Sequence, residues 1–216
     1  MKYHHISFDF DGVICNTATL KKSIFKQVLL NNNLNENEFN LHLDESRGLD
    51  RYSRFDYIIS RLKSNLTNRY SIDSMVNDFK ILYTEALSKE TLELDYHLHH
   101  LLKLLKNKGI FTSCISASPH SELTSIISRM ELNTYFDYIS GGPPSKFDRF
   151  KKLLNTKEIS NSNTLYIGDS KSDFDLSKEL NIKFIACAVY NSMDDDWMNN
   201  ITTINNWNGL SEILLA

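Results

Sequence analysis

The chain has 216 residues, of which 41% are hydrophobic and 24% are charged, and its formal net charge is −3. These values are ordinary for a globular domain with a buried core, and they argue against a general nucleic-acid-binding surface. No apolar run approaches the roughly 20 residues of a membrane span, and the N-terminus lacks the pattern of a signal peptide. We therefore expect a cytoplasmic protein with no nucleic-acid partner and no membrane association.

The first predicted element is a short apolar strand, residues 3–8, which ends in two carboxylates, Asp9 and Asp11. From residue 17 onward the apolar residues recur at helical spacing, and no convincing strand-like alternation follows until residue 92. We therefore predict that residues 17–92 form a small all-helical domain, inserted between the first strand and the rest of the chain.

From residue 93 onward, strand-like and helix-like segments alternate. This order is typical of a mainly parallel sheet with right-handed crossovers. We therefore predict an α/β fold in which residues 1–16 and 93–216 form a Rossmann-like core. The predicted strands of the second part are 110–115, 135–140, 164–167 and 183–189.

Polar residues follow most of these predicted strands, and ligands of open parallel sheets bind beyond the carboxyl ends of the strands. Asp9 and Asp11 are two residues apart, so they share a side if the strand geometry continues. Carboxylates without histidine or cysteine ligands suit a hard cation, most simply Mg²⁺, and a lysine with hydroxyls suits a phosphate. The residues collected in this way are Asp9, Asp11, Ser116, Ala117, Ser118, Lys146, Asp169 and Asp173.

Four of these segments resemble, in order, the motifs of the haloacid dehalogenase superfamily of hydrolases. They are Phe8-Asp9-Phe10-Asp11-Gly12-Val13, Ile115-Ser116, Lys146, and Gly168-Asp169-Ser170-x-x-Asp173. The resemblance covers residues 1–16 and about 93–190, and the inserted segment 17–92 resembles the type 1 helical cap of that superfamily. Within it, the chain is most similar to small-molecule phosphatases and phosphosugar mutases of the phosphoglycolate phosphatase and beta-phosphoglucomutase type.

The resemblance implies a mechanism and a role for each residue. Asp9 would attack phosphorus to form an aspartyl-phosphate, and Asp11 would act first as general acid and then as general base. Mg²⁺ would be held by Asp9, the backbone carbonyl of Asp11 and Asp169, with Asp173 as a further ligand or as a residue that orients the others. The phosphoryl oxygens would be held by Ser116, Ala117 and Lys146, and the loop Gly141–Pro144 favours Lys146 over Lys151 or Lys152 for that role.

The inserted segment contains Arg47-Gly48-Leu49-Asp50-Arg51, where a glycine in a helical region predicts a sharp turn. Such a turn could present Arg47 or Arg51 to an anionic substrate.

Taken together, these features predict a Mg²⁺-dependent phosphatase acting on a small phosphoester, as a monomer or weak dimer. Two alternatives remain: a phosphosugar mutase that uses the same aspartyl-phosphate, and a catalytically quiet binding or scaffold member of the family.

Overall fold

The structure is a computed structural model that describes residues 2–62, 71–190 and 196–215. The chain divides into two compact units, one made of Met1–Asn16 with Leu92–Ala216 and the other of Thr17–Thr91. Among the described residues, no helix combines the length and the apolar character needed to cross a membrane.

Helices are the only regular secondary structure among the described residues of the second unit. Rings of Phe25, Phe55 and Phe79 meet in its core, with the Phe25 centroid 4.8 Å from that of Phe55 and 4.4 Å from that of Phe79. Gly48 has a φ of 85° in the turn between the second and third helices, which is the sharp turn that the sequence predicts. The helices are α1 (Ala18–Asn31), α2 (Glu36–Glu45), α3 (Arg51–Arg61) and α4 (Ile72–Lys89).

The first unit is built on a sheet in which every strand pair is parallel. Its described strands are β1 (His5–Phe8), β2 (Phe111–Pro119), β3 (Tyr138–Gly142), β4 (Thr164–Gly168), β5 (Lys183–Cys187) and β6 (Thr203–Ile204). Their order in the sheet is β3-β2-β1-β4-β5-β6, so β1 lies in the interior between β2 and β4. This arrangement confirms the predicted α/β fold with a Rossmann-like parallel sheet.

Helices alternate with these strands, as parallel connections require. They are α5 (Tyr96–Asn107), α6 (His120–Arg129), α7 (Lys146–Thr156), α8 (Lys171–Glu179) and α9 (Trp207–Leu215). Short 3-10 turns occur at Asn161–Asn163 and Asp196–Met198.

The strands differ from the sequence prediction at several of their ends and by one additional strand. β2 continues past Ile115 to Pro119, which keeps Ser116 and Ser118 in extended backbone. β3 begins at Tyr138, because the backbone N–H of Tyr135 is used in a turn that closes on the carbonyl oxygen of Leu132. The short strand β6 was not predicted, since two residues are too few to produce a visible alternation.

The interior of the sheet contains a polar cluster between β1 and β2. The Nε2 atom of His5 lies 2.8 Å from Ser113 Oγ, and Ser113 Oγ donates to Ser7 Oγ at 2.9 Å. All three side chains are fully buried. Burial lowers the pKa of His5 to about 4, against a smaller opposing effect of Asp137. The cluster therefore ties the two strands together in one register through a neutral imidazole.

Candidate active site

The turn after β1 sets the direction of both proposed catalytic carboxylates. The N–H of Asp9 still donates to Ile167 of β4 at 2.9 Å, so the strand geometry reaches Asp9. The chain then turns sharply, because the N–H groups of Ile14 and Cys15 both donate to the carbonyl oxygen of Phe10. Gly12 has a φ of 81° in this turn, a conformation that side chains disfavour.

Three buried carboxylates meet at this edge of the sheet. Asp9, Asp169 and Asp173 are 6%, 3% and 0% exposed, and each offers an oxygen within 4.8 Å of the others. Asp9 follows β1, Asp169 follows β4, and Asp173 lies in the first turn of α8. Residues 160 positions apart in sequence are thus brought together, because neighbouring parallel strands end at the same edge.

Lys146 places a single positive charge between two of these carboxylates. Its Nζ atom donates to Asp9 Oδ1 at 2.8 Å and to Asp173 Oδ1 at 2.7 Å. Its side chain is only 10% exposed. Although burial alone would lower the pKa of Lys146, the two carboxylates raise it above its ordinary value. The lysine therefore stays charged in its buried position.

The two carboxylates that share Lys146 are not equivalent. Burial raises the pKa of Asp9; Lys146 opposes this rise, and the neighbouring carboxylates add to it. Burial also disfavours the charged form of Asp173, but Lys146 and hydrogen bonds from Ser170 and Tyr166 hold the pKa of Asp173 below its ordinary value. Asp173 is therefore held in its charged form, whereas Asp9 needs further positive charge to ionise readily.

Tyr166 and Ser170 fix the carboxylate of Asp173, and sequence reasoning missed both roles. Tyr166 Oη donates to Asp173 Oδ1 at 2.6 Å, and Ser170 Oγ donates to Asp173 Oδ2 at 2.6 Å. Lys146 Nζ also lies 3.2 Å from Tyr166 Oη. Strand alternation could have pointed to Tyr166, because it pairs with Ser7 and so shares a face with Asp9.

Gly168 allows Asp173 to approach the end of β4. A Cβ atom at this position would lie 2.5 Å from Asp173 Cβ and 2.8 Å from Asp173 Cγ. These distances are far below van der Waals contact, so any other residue would displace the carboxylate. The glycine before Asp169 in the sequence motif therefore has a steric reason in this structure.

Asp11 lies beside the hydroxyl groups of β2. Ser118 Oγ donates to Asp11 Oδ2 at 2.9 Å, and Ser116 Oγ donates to the same oxygen at 3.3 Å. The N–H of Ser118 donates to Ser116 Oγ at 3.1 Å, which orients that hydroxyl. Ala117 stands between the two serines in β2. The contact of Ser118 was not predicted, although its spacing of two from Ser116 on an extended strand indicates the same face.

The donor set fits a divalent cation. The group formed by Asp9, Asp169 and Asp173 consists of carboxylates only, which is the chemistry that Mg²⁺ prefers. Three buried carboxylates against one lysine leave two negative charges uncompensated if all are ionised, and Mg²⁺ matches that deficit. The carboxylate of Asp11 lies outside this group, and the role of its backbone carbonyl in metal binding stays a prediction.

The two arginines assigned to substrate lie in the helical unit. Arg47 follows α2, where its N–H donates to the carbonyl oxygen of Asp44. Arg51 is the first residue of α3, and its guanidinium carbon lies 4.2 Å from the ring centroid of Phe79. Burial lowers the pKa of the neighbouring Arg54 to about 10, and the charge of Arg47 contributes to this shift. The turn at Gly48 thus carries Arg47 on one side and Arg51 on the other, with Asp44 and Asp50 close to them in the chain.

The sequence as a whole assigns the chain to a class of hydrolase. A family profile described as haloacid dehalogenase-like hydrolase matches residues 6–187. The chain therefore belongs to the haloacid dehalogenase-like hydrolases. No curated protein sequence matches it.

Solved structures share this fold at low sequence identity. A haloacid dehalogenase-like family hydrolase from Streptococcus pneumoniae is 18% identical with a TM-score of 0.77, covering 99% of both chains. A predicted phosphoglycolate phosphatase from Haemophilus somnus is 16% identical with a TM-score of 0.73, also covering 99% of both. CbbY from Rhodobacter sphaeroides, in complex with phosphate, is 13% identical with a TM-score of 0.76 and 96% coverage of both.

Proposed function

We propose that this protein is a Mg²⁺-dependent phosphatase that hydrolyses a small phosphomonoester through an aspartyl-phosphate on Asp9. One observation carries the proposal: the buried carboxylate of Asp9 lies among Asp169, Asp173 and the ammonium of Lys146. This carboxylate lies at a strand end beside two carboxylates that can bind a cation and beside one ammonium. It is suited to attack an anionic phosphoryl group, because the positive charges offset the repulsion between the two anions. Phosphate bound to the similar CbbY structure and the phosphatase descriptions of other similar structures support the same chemistry.

The first step forms a bond between an Asp9 oxygen and phosphorus and breaks the bond from phosphorus to the leaving oxygen. Asp11 gives its proton to that oxygen, so the product leaves as a neutral alcohol. Ser116, the segment at Ala117 and Lys146 hold the phosphoryl oxygens, and Lys146 balances the charge that builds on them. Bound Mg²⁺ would supply positive charge that lets the Asp9 carboxylate and the phosphoryl oxygens approach each other.

The second step returns the protein to its starting state. Asp11, now ionised, takes a proton from a water molecule whose oxygen attacks phosphorus. The bond from phosphorus to Asp9 breaks, inorganic phosphate forms, and Asp11 is again protonated. Hydrogen bonds from Ser118 and Ser116 hold the Asp11 carboxylate in place for both transfers.

We propose that residues 17–92 act as a cap that selects the leaving group, with Arg47 and Arg51 contacting an anionic part of the substrate. The position of the two arginines on either side of the Gly48 turn supports this role. CbbY has been solved with xylulose-1,5-bisphosphate, so phosphorylated sugars are the first substrates to test.

The test compares wild type, Asp9→Asn and Asp175→Asn with p-nitrophenyl phosphate and Mg²⁺. Asp175 is an exposed carboxylate of α8 paired with Lys171, so its variant is the matched control. We expect activity in wild type and Asp175→Asn and none in Asp9→Asn, because an amide cannot act as the nucleophile. Equal trace activity in all three proteins would refute the proposal.

A panel of phosphorylated metabolites with phosphate detection then identifies the substrate class. The same panel tests the mutase alternative, because a mutase would interconvert sugar phosphates faster than it releases phosphate.

A further inference from the structure

Arg149 is a buried charged residue whose hydrogen bonds join three segments of the first unit. It lies on α7 and is 5% exposed. Its Nε atom donates to the carbonyl oxygen of Pro144 at 2.8 Å, and Nη1 donates to that of Ser140 at 2.6 Å and to Ser140 Oγ at 3.3 Å. Nη2 donates to the carbonyl oxygen of Ser116 at 2.8 Å. One guanidinium thus links β2, β3 and the segment before α7.

An ordinary packing role does not explain a charge at this position. Burying a guanidinium costs free energy that an apolar side chain would avoid. All four acceptors are neutral oxygens, and burial lowers the pKa of Arg149. The next buried residues of α7, Phe150 and Leu153, are apolar and pack in the core. What arginine adds is a planar fork that holds several carbonyl groups in one fixed arrangement.

One joined segment, β2, and the helix α7 that carries Arg149 itself both hold groups assigned to the phosphoryl oxygens. The carbonyl oxygen of Ser116 accepts from Arg149, while the hydroxyl of the same residue lies beside Asp11. Lys146 precedes Arg149 by three residues on α7, so both side chains leave the same side of the helix. Arg149 therefore connects the strand that carries Ser116 to the helix that carries Lys146.

We propose that Arg149 is a positioning residue that sets the distance between Ser116 and Lys146, so that both can hold one phosphoryl group. The inference rests on the proposed function, because it assigns phosphate binding to those two residues. Arg149 would act through the backbone, since its donors are directed at carbonyl oxygens. A lysine could not replace it, because one ammonium cannot span three separate segments.

The test uses Arg149→Lys and Arg149→Met, with Leu153→Val as a control on the buried face of the same helix. For each protein we would measure the melting temperature, kcat and KM for p-nitrophenyl phosphate, and the Kd of inorganic phosphate by calorimetry with Mg²⁺. Small displacements of binding groups have large effects, so we expect the phosphate Kd of both Arg149 variants to rise at least about tenfold. Leu153→Val should melt at a lower temperature and keep its phosphate affinity.

Several results would overturn the inference. One is a phosphate affinity in Arg149→Lys equal to that of wild type, and another is a loss of phosphate affinity in Leu153→Val as large as in the Arg149 variants. The third is failure of both Arg149 variants to fold, which would make the residue a requirement of the fold itself. If wild type binds phosphate but hydrolyses no phosphoester, the proposed function fails while the phosphate titrations still decide the role of Arg149. If wild type binds no phosphate, there is no group to position and the inference falls.

Discussion

The ammonium of Lys146 lies 2.8 Å from Oδ1 of Asp9, although 137 residues separate them in the chain. The same ammonium lies 2.7 Å from Asp173, so one lysine neutralises part of two buried carboxylates. A single substitution at Lys146 should therefore affect stability, cation binding and activity together.

For Lys146→Met we expect the catalytic rate to fall at least about 100-fold, as when one preorganised donor to a developing anion is removed. Without Mg²⁺ the free energy of unfolding should also fall by about 3 kcal/mol, because two buried carboxylates lose their partner. Added Mg²⁺ should recover part of that loss. Steady-state kinetics and urea denaturation measure both effects, with Lys152→Met, an exposed lysine of the same helix, as control. Equal behaviour of the two variants would contradict the assignment of Lys146.

Asp11→Asn tests the acid and base role separately from the nucleophile. We expect turnover to fall by about 10² to 10⁴, the usual contribution of a general acid or base. Nitrophenolate is a good leaving group that needs little protonation, so the first step should survive and a phosphorylated protein should accumulate. Intact-protein mass spectrometry would detect the added phosphoryl group in Asp11→Asn and its absence in Asp9→Asn. Normal turnover in Asp11→Asn would rule out this role.

Cation binding is tested by chelation and by Asp169→Asn. We expect chelator-treated protein to lose activity and to recover it with Mg²⁺. Since a ligand that binds only the folded state stabilises it, Mg²⁺ should also raise the melting temperature of wild type. That increase should largely vanish in Asp169→Asn and persist in Asp175→Asn, whose side chain is exposed. If Asp169→Asn retains the full increase, the cation binds elsewhere.

Gly168→Ala should displace Asp173, because the added Cβ would lie 2.5 Å from Asp173 Cβ. We expect lower stability and a loss of Mg²⁺-dependent stabilisation, both measured by thermal unfolding with and without the ion. Gly209→Ala is the control, since its added Cβ meets nothing closer than 3.7 Å and the residue lies in α9. An alanine in a helix is favoured over glycine by about 0.5 to 1 kcal/mol, so this control should be at least as stable as wild type. If the two substitutions changed stability and Mg²⁺-dependent stabilisation equally, the close approach of Asp173 to Gly168 would not be required for cation binding.

The buried imidazole of His5 makes stability depend on pH. Burial lowers its pKa from 6.5 to about 4 in the folded state, so the unfolded chain binds a proton first as the pH falls. The stabilisation is complete above pH 6.5 and is lost as the pH falls towards 4, amounting to about 3 kcal/mol at most. Urea denaturation of wild type and His5→Gln at pH values between 4 and 6.5 measures the difference between their free energies of unfolding. The difference in free energy of unfolding should change across this pH range. A constant difference would show that His5 is not the source of the pH dependence.

The local order of residues was enough to predict the parallel sheet and the carboxylates at its edge. Asp9 and Asp169 could be placed because apolar strands end where they stand and parallel strands end together. Ser116 was selected by the same reasoning, but β2 continues past it to Pro119. The sixth strand and the start of β3 escaped prediction, because backbone hydrogen bonds to neighbouring strands decide them and leave little trace in side-chain pattern.

The sequence by itself determined which carboxylates stand at strand ends, since hydrophobic alternation and glycine positions are local properties. Only the tertiary structure decided how the predicted lysine meets them. The loop before α7 favours Lys146 over Lys151 and Lys152 in the sequence, but its hydrogen bonds to both Asp9 and Asp173 are seen only in the folded chain. The role of Arg149 was equally invisible, because its partners are mainly backbone carbonyl oxygens, which every residue possesses. Contacts of that kind depend on the path of the folded chain and have no sequence signature.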